Sequence, residues 1–202
     1  MSTPQPAIFD FDVHQNLIHD LVKSQNGTLA TALRELVMNS VDAGADRISI
    51  ELSENTFSVE DNGCGFESRD DIEQNFRVVG QPHDDGDAVY GRFRIGRGQI
   101  MAFAAVDWIS NQFQMSVDIE SHGYGFQLTE FEDVAHNGCR VEGRLYDVQH
   151  PYSLEKVCRE LRLLVEYSPI DIYLNGYPIS GRTARETWDV ETESYKIRWK
   201  SN

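Results

Sequence analysis

Glu35, Asn39 and Asp42 are spaced four and then three residues apart, which places them along one stripe of a predicted helix. A carboxylate, an amide oxygen and a second carboxylate on one stripe can activate a water molecule and hold a hard cation such as Mg²⁺, which prefers oxygen ligands. For a helix considered alone, a solvated polar face is the favoured alternative. The segment Met38-Asn39-Ser40 argues against it, because solvated helix faces are more often rich in Lys and Glu than in Asn and Ser.

A second candidate site is the sequence from Val59 to Phe66, in which Asp61 is followed by Asn-Gly-Cys-Gly. The glycines, Gly63 and Gly65, allow the backbone to come close to a flat ligand. The Asp61 carboxylate can then accept a hydrogen bond from an exocyclic amine of that ligand. A plain turn between a strand and a helix explains the same residues equally well, so this motif alone does not assign a function.

Glycines and arginines are concentrated in a third segment, which opens a predicted buried helix. They are Gly91, Arg92, Arg94, Gly96, Arg97 and Gly98. Backbone N–H groups at a helix N-terminus attract anions, and arginines strengthen that attraction. The alternative is a loop whose glycines allow tight packing and whose arginines pair with the acidic residues at 84–87. The segment is neither a P-loop nor a dinucleotide-binding fingerprint, because it lacks the Gly-Lys-Ser/Thr end of the first and the leading strand of the second.

The elements that must position these residues are predicted as blocks of helices and antiparallel strands. We expect helices over His14–Gln25, Leu29–Ala43, Ser68–Phe76, Gly98–Val106 and Ser153–Tyr167. We expect hairpins over 48–59 and 170–179, strands over Trp108–Ile119, Tyr124–Phe131 and Cys139–Tyr146, and a further strand within Thr187–Trp199. Such blocks favour an α+β sandwich with helices on one sheet face over a doubly wound parallel sheet.

Composition and charge bound what the chain can do. Its 202 residues suit a single domain, 1–202, with residues 1–12 as an unanchored arm. The net charge of −15 repels phosphate backbones, so we expect no direct contact with nucleic acid. Three cysteines without a CxxC pair argue against a disulfide framework or a zinc site and suit a reducing, cytoplasmic compartment. We expect no membrane contact, because no apolar run approaches the ~18 residues of a membrane span.

Together, the three motifs resemble those of one family. Leu33–Ala45 looks like the N box of the GHKL ATPases (gyrase, heat-shock chaperone, histidine kinase, MutL), in the form found in MutL and the chaperone. Val59–Phe66 resembles their G1 box, and Gly91–Gly98 resembles their G2 box. The resemblance covers residues 28–110, whereas the later strands and helix agree with the family in their order only.

This resemblance implies a Bergerat-type fold, in which ATP lies between a mixed sheet and the helices on one of its faces. It implies that Glu35 is the general base for the attacking water, that Asn39 is a Mg²⁺ ligand, and that Asp61 accepts from the adenine amine. The other implied nucleotide-binding residues are Asp42, Gly63, Gly65, Gly91, Arg94, Ile95, Gly96, Arg97 and Gly98. The segment 68–90 would be a lid over the nucleotide.

Two positions depart from the family pattern. Arg94 stands where chaperone-type sequences often have Gly, and Gly138-Cys139 stands where many relatives have Gly-Thr. The resemblance implies a slow, Mg²⁺-dependent ATPase whose turnover gates homodimerisation or a partner, either alone or as the N-terminal domain of a longer protein. The alternative is a nucleotide-binding sensor or scaffold with negligible hydrolysis. Glu35 favours the ATPase, because a pure binding pocket needs no base, whereas the missing downstream domain favours the sensor.

Overall fold

A computed structural model describes residues 27–76, 96–123, 125–132, 136–146, 153–181, 187–192 and 196–199. The predicted helix His14–Gln25, the predicted arm 1–12 and most of the predicted lid lie outside these ranges. Within them the chain forms an α+β sandwich, in which helices pack on one face of an eight-stranded sheet. The predicted fold class is therefore confirmed.

Eight strands form the main sheet. They are β1 (Arg47–Leu52), β2 (Thr56–Asp61), β3 (Ala104–Asn111), β4 (Phe113–Val117), β5 (Gln127–Glu130), β6 (His136–Leu145), β7 (Asp171–Leu174) and β8 (Tyr177–Pro178). Their order is β5-β4-β3-β6-β2-β1-β7-β8, with β1 and β7 parallel and the other described pairs antiparallel. A separate two-stranded sheet pairs β9 (Val190–Glu191) with β10 (Lys196–Ile197). This order places β2, which ends at Asp61, between β1 and β6.

The helices share one core with the sheet. They are α1 (Leu29–Asp42), α2 (Arg69–Phe76), α3 (Gly96–Met101), α4 (Ile119–His122) and α5 (Leu154–Val165). Helix α1 packs against α3 and α5, and Leu33, Ile100 and Leu161 of these three helices are fully buried with Ile50 of the sheet. In the described ranges, no helix combines the length and the apolar character that crossing a bilayer requires.

Helix α1 begins and ends where its sequence predicts. Thr28 caps its N-terminus, because the Thr28 hydroxyl oxygen accepts a hydrogen bond from the Thr31 N–H at 3.2 Å. Leu33, Leu36 and Val37, which form the apolar stripe of this helix, are buried, whereas Val41 on the same stripe is only half-buried. Gly44 follows the helix with a φ of +77°, a left-handed conformation that favours glycine. The position of this helix on the sheet therefore follows from local signals.

The helix predicted over Gly98–Val106 is wrong in its extent. Helix α3 ends at Met101, and strand β3 begins at Ala104. Residues of β3 alternate between buried and half-buried along the whole strand, which is the period of two of an extended chain. Small residues on both sides of the boundary hide this alternation in the sequence.

The single strand predicted over Trp108–Ile119 is also wrong. The chain turns at Gln112, so that β3 and β4 pair as an antiparallel hairpin. Asn111 adopts a φ of +50° at this turn, which Asn tolerates better than most residues. The turn contains neither Gly nor Pro, so it lacks the usual sequence signal for a reversal.

Candidate functional site

Three polar side chains are buried among the described residues, and all of them contact the segments around the end of β2. Ser40 of α1 is 5% exposed, Asp61 of β2 is 7% exposed, and Ser110 of β3 is 0% exposed. Burying a polar group is unfavourable unless the group is hydrogen-bonded. The hydrogen bonds of these three residues therefore show which segments the fold holds together here.

The Asp61 carboxylate accepts three hydrogen bonds from the protein. Its Oδ1 accepts from the N–H of Gly63 at 2.9 Å and from the N–H of Cys139 at 3.1 Å. Its Oδ2 accepts from the Ser40 hydroxyl at 2.6 Å. Because a carboxylate offers about four lone-pair sites, two on each oxygen, Oδ1 is saturated and Oδ2 keeps one site. The carboxylate is thus held with Oδ2 as the remaining acceptor.

Close backbone contacts around Asp61 require glycine. Gly138 has a φ of +81°, and a Cβ atom there would lie 2.0 Å from the Asp61 carbonyl oxygen. Gly65 has a φ of +68°, and its Cβ would lie 2.2 Å from Ser110 Oγ. At Gly63, a Cβ would lie 2.8 Å from a carbonyl oxygen at the end of α1. The packing of the turn therefore explains why Gly63 and Gly65 are glycines. Their contact with a nucleotide stays a prediction.

We expect Gly138→Ala to destabilise the fold by about 3 kcal/mol, because left-handed strain of roughly 1–2 kcal/mol adds to an overpacking term of similar size. Gly44→Ala is the matched control, since Gly44 has a φ of +77° but no atom within 4 Å of a Cβ. We expect this control to lose only the strain term. Denaturant unfolding of both variants measures the difference, and equal losses would contradict the close approach at residue 138.

Ser110 and Asn111 fasten the turn to strand β3. The Ser110 Oγ accepts from the Phe66 N–H at 2.8 Å and donates to the Gly138 carbonyl at 2.7 Å. The Asn111 side-chain amide donates to the Phe66 carbonyl at 2.5 Å. Neither residue is among the site residues predicted from the sequence. The available signal was a serine at an inward position of a strand whose other inward residues are apolar.

The turn is also tied to the end of α1 and to the segment that leads from it into β1. The Asn62 side-chain oxygen accepts from the N–H groups of Asp46 and Arg47, both at 3.1 Å. Its side-chain NH₂ donates to the Asp46 carboxylate at 2.7 Å. The N–H of Cys64 donates to the Ala43 carbonyl at 3.0 Å. These bonds fix the turn relative to the helix that carries the predicted catalytic stripe.

The three residues of that stripe lie on α1 as predicted, with different exposures. The Glu35 side chain is 18% exposed and forms an ion pair with its neighbour Arg34. Asn39 is half-buried, and Asp42 is exposed. Ser40, whose hydroxyl reaches the turn, directly follows Asn39. The helical stripe and the turn therefore border the same part of the fold, whereas the roles of a base, a metal ligand and a nucleotide contact stay predictions.

This part of the chain matches a known family. Residues 27–122 match the family model described as "Histidine kinase-, DNA gyrase B-, and HSP90-like ATPase". This segment belongs to the GHKL ATPase family. The match runs from just before α1 to the end of α4, so the family predicted from the N, G1 and G2 boxes is confirmed.

Curated relatives of this GHKL segment are MutL-type mismatch repair proteins. DNA mismatch repair protein PMS1 of Arabidopsis thaliana is 40% identical over 75 residues, which are 35% of this chain and 8% of that protein. Mismatch repair endonuclease PMS2 of Homo sapiens is 35% identical over 86 residues, which are 41% of this chain and 9% of that protein. DNA mismatch repair protein MutL of Rhizorhabdus wittichii is 62% identical over 40 residues, which are 18% of this chain and 7% of that protein. The chain thus spans less than a tenth of each relative.

A solved structure supports the same fold. "Crystal Structure of N terminal domain of a DNA repair protein" matches with a TM-score of 0.51 at 18% identity, over 78% of this chain and 51% of that chain. At this identity the likeness concerns the fold alone. With the mixed sheet and the helices on one face, it confirms the Bergerat-type two-layer sandwich.

The G2 box of this GHKL segment is described only in part. Gly91, Arg94 and Ile95 lie outside the described residues, as does most of the predicted lid 68–90. Residues 96–98 form the first turn of α3, and α3 packs against α1. The contacts of this box with phosphates stay predictions.

The departure at Gly138-Cys139 is accommodated by the backbone. Cys139 binds Asp61 Oδ1 through its N–H rather than its thiol. Its side chain is half-buried and packs against the core. Because every residue except proline carries a backbone N–H, the presence of Cys where relatives often have Thr leaves this hydrogen bond intact.

The donor set on α1 suits a hard cation. Within the described ranges, no group of three His, Cys, Asp or Glu side chains is placed to hold a metal ion. Mg²⁺ binds proteins through one or two side-chain oxygens and takes its other ligands from substrate phosphates and water. Asn39 is half-buried and directly precedes Ser40, which contacts Asp61. Its side-chain oxygen therefore fits the role of a single protein ligand to Mg²⁺.

Proposed function

We propose that this chain binds ATP with Mg²⁺ and hydrolyses it slowly, and that hydrolysis gates its association with a second copy or with a partner domain. The observation that carries the proposal is the buried Asp61 carboxylate, whose Oδ2 keeps one acceptor site. Adenine offers an amine to such an acceptor, whereas guanine offers an oxygen at the corresponding position. Membership of residues 27–122 in the GHKL ATPases supports ATP as the ligand.

Residues of α1 would supply the metal ligand and the base. Asn39 would offer its side-chain oxygen to Mg²⁺, which supplies charge neutralisation at the phosphates when bound. Glu35 would orient the attacking water and take its proton. Asp42 would add a nucleotide contact, and the glycines and arginines of 91–98 would hold the phosphates.

The names of the relatives point to DNA mismatch repair. We propose that the chain serves such a process as a nucleotide-controlled switch rather than as a DNA-binding surface. Its net charge of −15 supports this role, because a negative surface repels DNA phosphates. A cytoplasmic location fits its odd number of cysteines.

The second candidate is a nucleotide-binding sensor or scaffold with negligible hydrolysis. The observation that favours it is the ion pair between Arg34 and Glu35, because the pair engages the carboxylate that hydrolysis requires. Both candidates need ATP binding, and only the first needs the Glu35 carboxylate as a base.

Thermal unfolding with ATP, ADP and GTP, each with and without Mg²⁺, tests the binding. A ligand at about 100 times its dissociation constant stabilises the fold by ~2.7 kcal/mol, which raises the Tm of a domain this size by roughly 5–10 °C. We expect ATP and ADP to raise the Tm more than GTP does. The absence of a shift with any nucleotide would contradict both candidates, and single-turnover hydrolysis distinguishes them.

We expect Asn39→Ala to weaken ATP binding roughly tenfold in the presence of Mg²⁺, since even indirect metal partners contribute about 10–100-fold to metal affinity. Binding without Mg²⁺ should change little, because the amide oxygen serves the metal. Calorimetry with Mg²⁺ and with a chelator measures both affinities, and Asn55→Ala in the exposed β1–β2 turn is the control. An unchanged Mg²⁺ effect would remove Asn39 from the metal site.

A further inference from the structure

We infer that Ser40 orients the remaining acceptor site on Asp61 Oδ2, and that it thereby strengthens the preference for nucleotides that carry an exocyclic amine. The inference rests on the nucleotide binding proposed above. It concerns Ser40 as a positioning residue, which acts on the ligand through the Asp61 carboxylate.

Ser40 has two acceptors within reach of its hydroxyl. Asp61 Oδ2 lies at 2.6 Å, and the carbonyl oxygen of Leu36, one turn earlier in α1, lies at 3.2 Å. A hydroxyl carries one proton. The shorter bond, to a charged acceptor, is the stronger of the two. The Ser40 hydroxyl therefore donates its hydrogen bond to Asp61 Oδ2. If Oδ2 can no longer accept, the hydroxyl can rotate and donate to the Leu36 carbonyl oxygen instead.

The Ser40 hydrogen bond helps to fix the plane of the carboxylate. The N–H groups of Gly63 and Cys139 both bind Oδ1, and these two bonds already restrain rotation about the Cβ–Cγ bond, a torsion with a broad minimum. The Ser40 bond restrains the other oxygen directly and narrows the range that is left. Of the three donors to Asp61, only Ser40 acts through a side chain, so it is the one that a substitution can remove.

The orientation of the carboxylate plane affects which bases can bind well. One lone pair of Oδ2 remains, and its direction is set by the carboxylate plane. A base with an amine at that point satisfies it, whereas a base without the amine leaves a largely buried acceptor unpaired, which disfavours its binding. Ser40 therefore contributes to discrimination between bases without touching them.

Calorimetry with ATP and with purine riboside triphosphate, which lacks the 6-amine, tests the inference. We expect the wild-type chain to prefer ATP. Ser40→Ala should weaken ATP binding roughly tenfold and purine riboside triphosphate binding much less, so the preference falls several-fold. The control Thr31→Ala removes a hydroxyl that donates to the Thr28 carbonyl of the same helix at 2.7 Å, and it should keep the wild-type preference.

A second measurement needs no nucleotide. Amide hydrogen exchange at Gly63 and Cys139 should be faster in Ser40→Ala than in the wild type, because the carboxylate that accepts from both is then less restrained. The Phe66 amide, which donates to Ser110, is the internal reference and should change little. Ser40→Thr keeps the hydroxyl and should restore both the exchange protection and the preference for ATP. If Ser40→Ala does not fold, Ser40→Cys places a weaker donor there and should show the same fall in preference.

The outcomes distinguish the proposed role of Asp61 in base recognition from the inferred positioning role of Ser40. A wild-type chain that binds neither nucleotide, or both equally, overturns the base-reading role of Asp61 and this inference with it. A wild-type chain that prefers ATP, with the same preference in Ser40→Ala, overturns the inference about Ser40 alone. An equal loss of affinity for both nucleotides in Ser40→Ala, with faster exchange at Phe66 as well, would assign Ser40 a structural role only.

Discussion

Asp61→Asn is expected to leave the chain folded and to lower its affinity for ATP by about a hundredfold or more. In the absence of nucleotide, an asparagine at position 61 can form hydrogen bonds with the same three neighbours as the aspartate. Its oxygen can take the place of Oδ1 between the N–H groups of Gly63 and Cys139. Its NH₂ group can take the place of Oδ2 and donate to Ser40, whose proton then turns to the Leu36 carbonyl at 3.2 Å.

The same rearrangement explains the loss of binding. With NH₂ in place of Oδ2, the amine of adenine meets a donor instead of an acceptor. Two donors are then left unpaired in a largely buried place, at about 1–3 kcal/mol each, and a charge-assisted bond of about 1.5–3 kcal/mol is lost. A base with a keto oxygen at this position would instead accept from the new NH₂ group. We therefore expect the substitution to shift the preference from ATP toward inosine triphosphate.

Calorimetry with ATP and inosine triphosphate on both chains, with the Tm of each, measures this shift. The control is Asp171→Asn, which removes the same charge at an exposed position at the start of β7. We expect the control to bind both nucleotides as the wild type does. An Asp61→Asn chain that binds ATP with wild-type affinity would show that Asp61 does not read the base.

Local signals were enough to predict α1, the β1–β2 hairpin and the turn after Asp61. The cap at Thr28, the apolar stripe and Gly44 all act within a few residues of where they stand in the sequence. The hairpin Asn175-Gly176 is another such case, because both residues adopt the positive φ that this turn requires. Elements of this kind are determined by their own residues, so one sequence suffices to predict them.

The partners of the turn could not be predicted in the same way. Phe66 binds Ser110, which lies 44 residues away in the sequence, and Asp61 binds Cys139, which lies 78 residues away. These contacts exist because β3 and β6 are neighbours in the sheet and β6 lies beside β2. That order depends on how the strands assemble. The misplaced boundary of β3 also hid the inward position of Ser110.

The contact made by Ser40 is visible in the structure but not in the sequence. In the sequence it is a polar residue in the middle of a helix, next to the predicted metal ligand Asn39. In the fold it is buried and donates to Asp61, 21 residues later. Only the packing of α1 against the end of β2 reveals that the N box and the G1 box share a hydrogen bond.

Glu35→Ala is expected to bind ATP about as well as the wild type and to lose hydrolysis by ~10²–10⁴-fold, the usual contribution of a positioned general base. The reason is that a base contacts the attacking water rather than the nucleotide. Single-turnover hydrolysis measures the rate, and calorimetry measures the affinity. Glu35→Gln keeps the shape of the side chain but removes its basicity, so it should lose hydrolysis to a similar extent.

Arg34→Ala is the matched control, because it breaks the same ion pair and leaves the Glu35 carboxylate in place. The pair is partly exposed, so its loss should lower stability by no more than about 1 kcal/mol. If Glu35 serves only the ion pair, the two variants will show the same Tm and the same hydrolysis. If Glu35 is the base, Arg34→Ala will keep hydrolysis while Glu35→Ala loses it. A Glu35→Ala chain that no longer binds ATP would instead make Glu35 part of the architecture of the site.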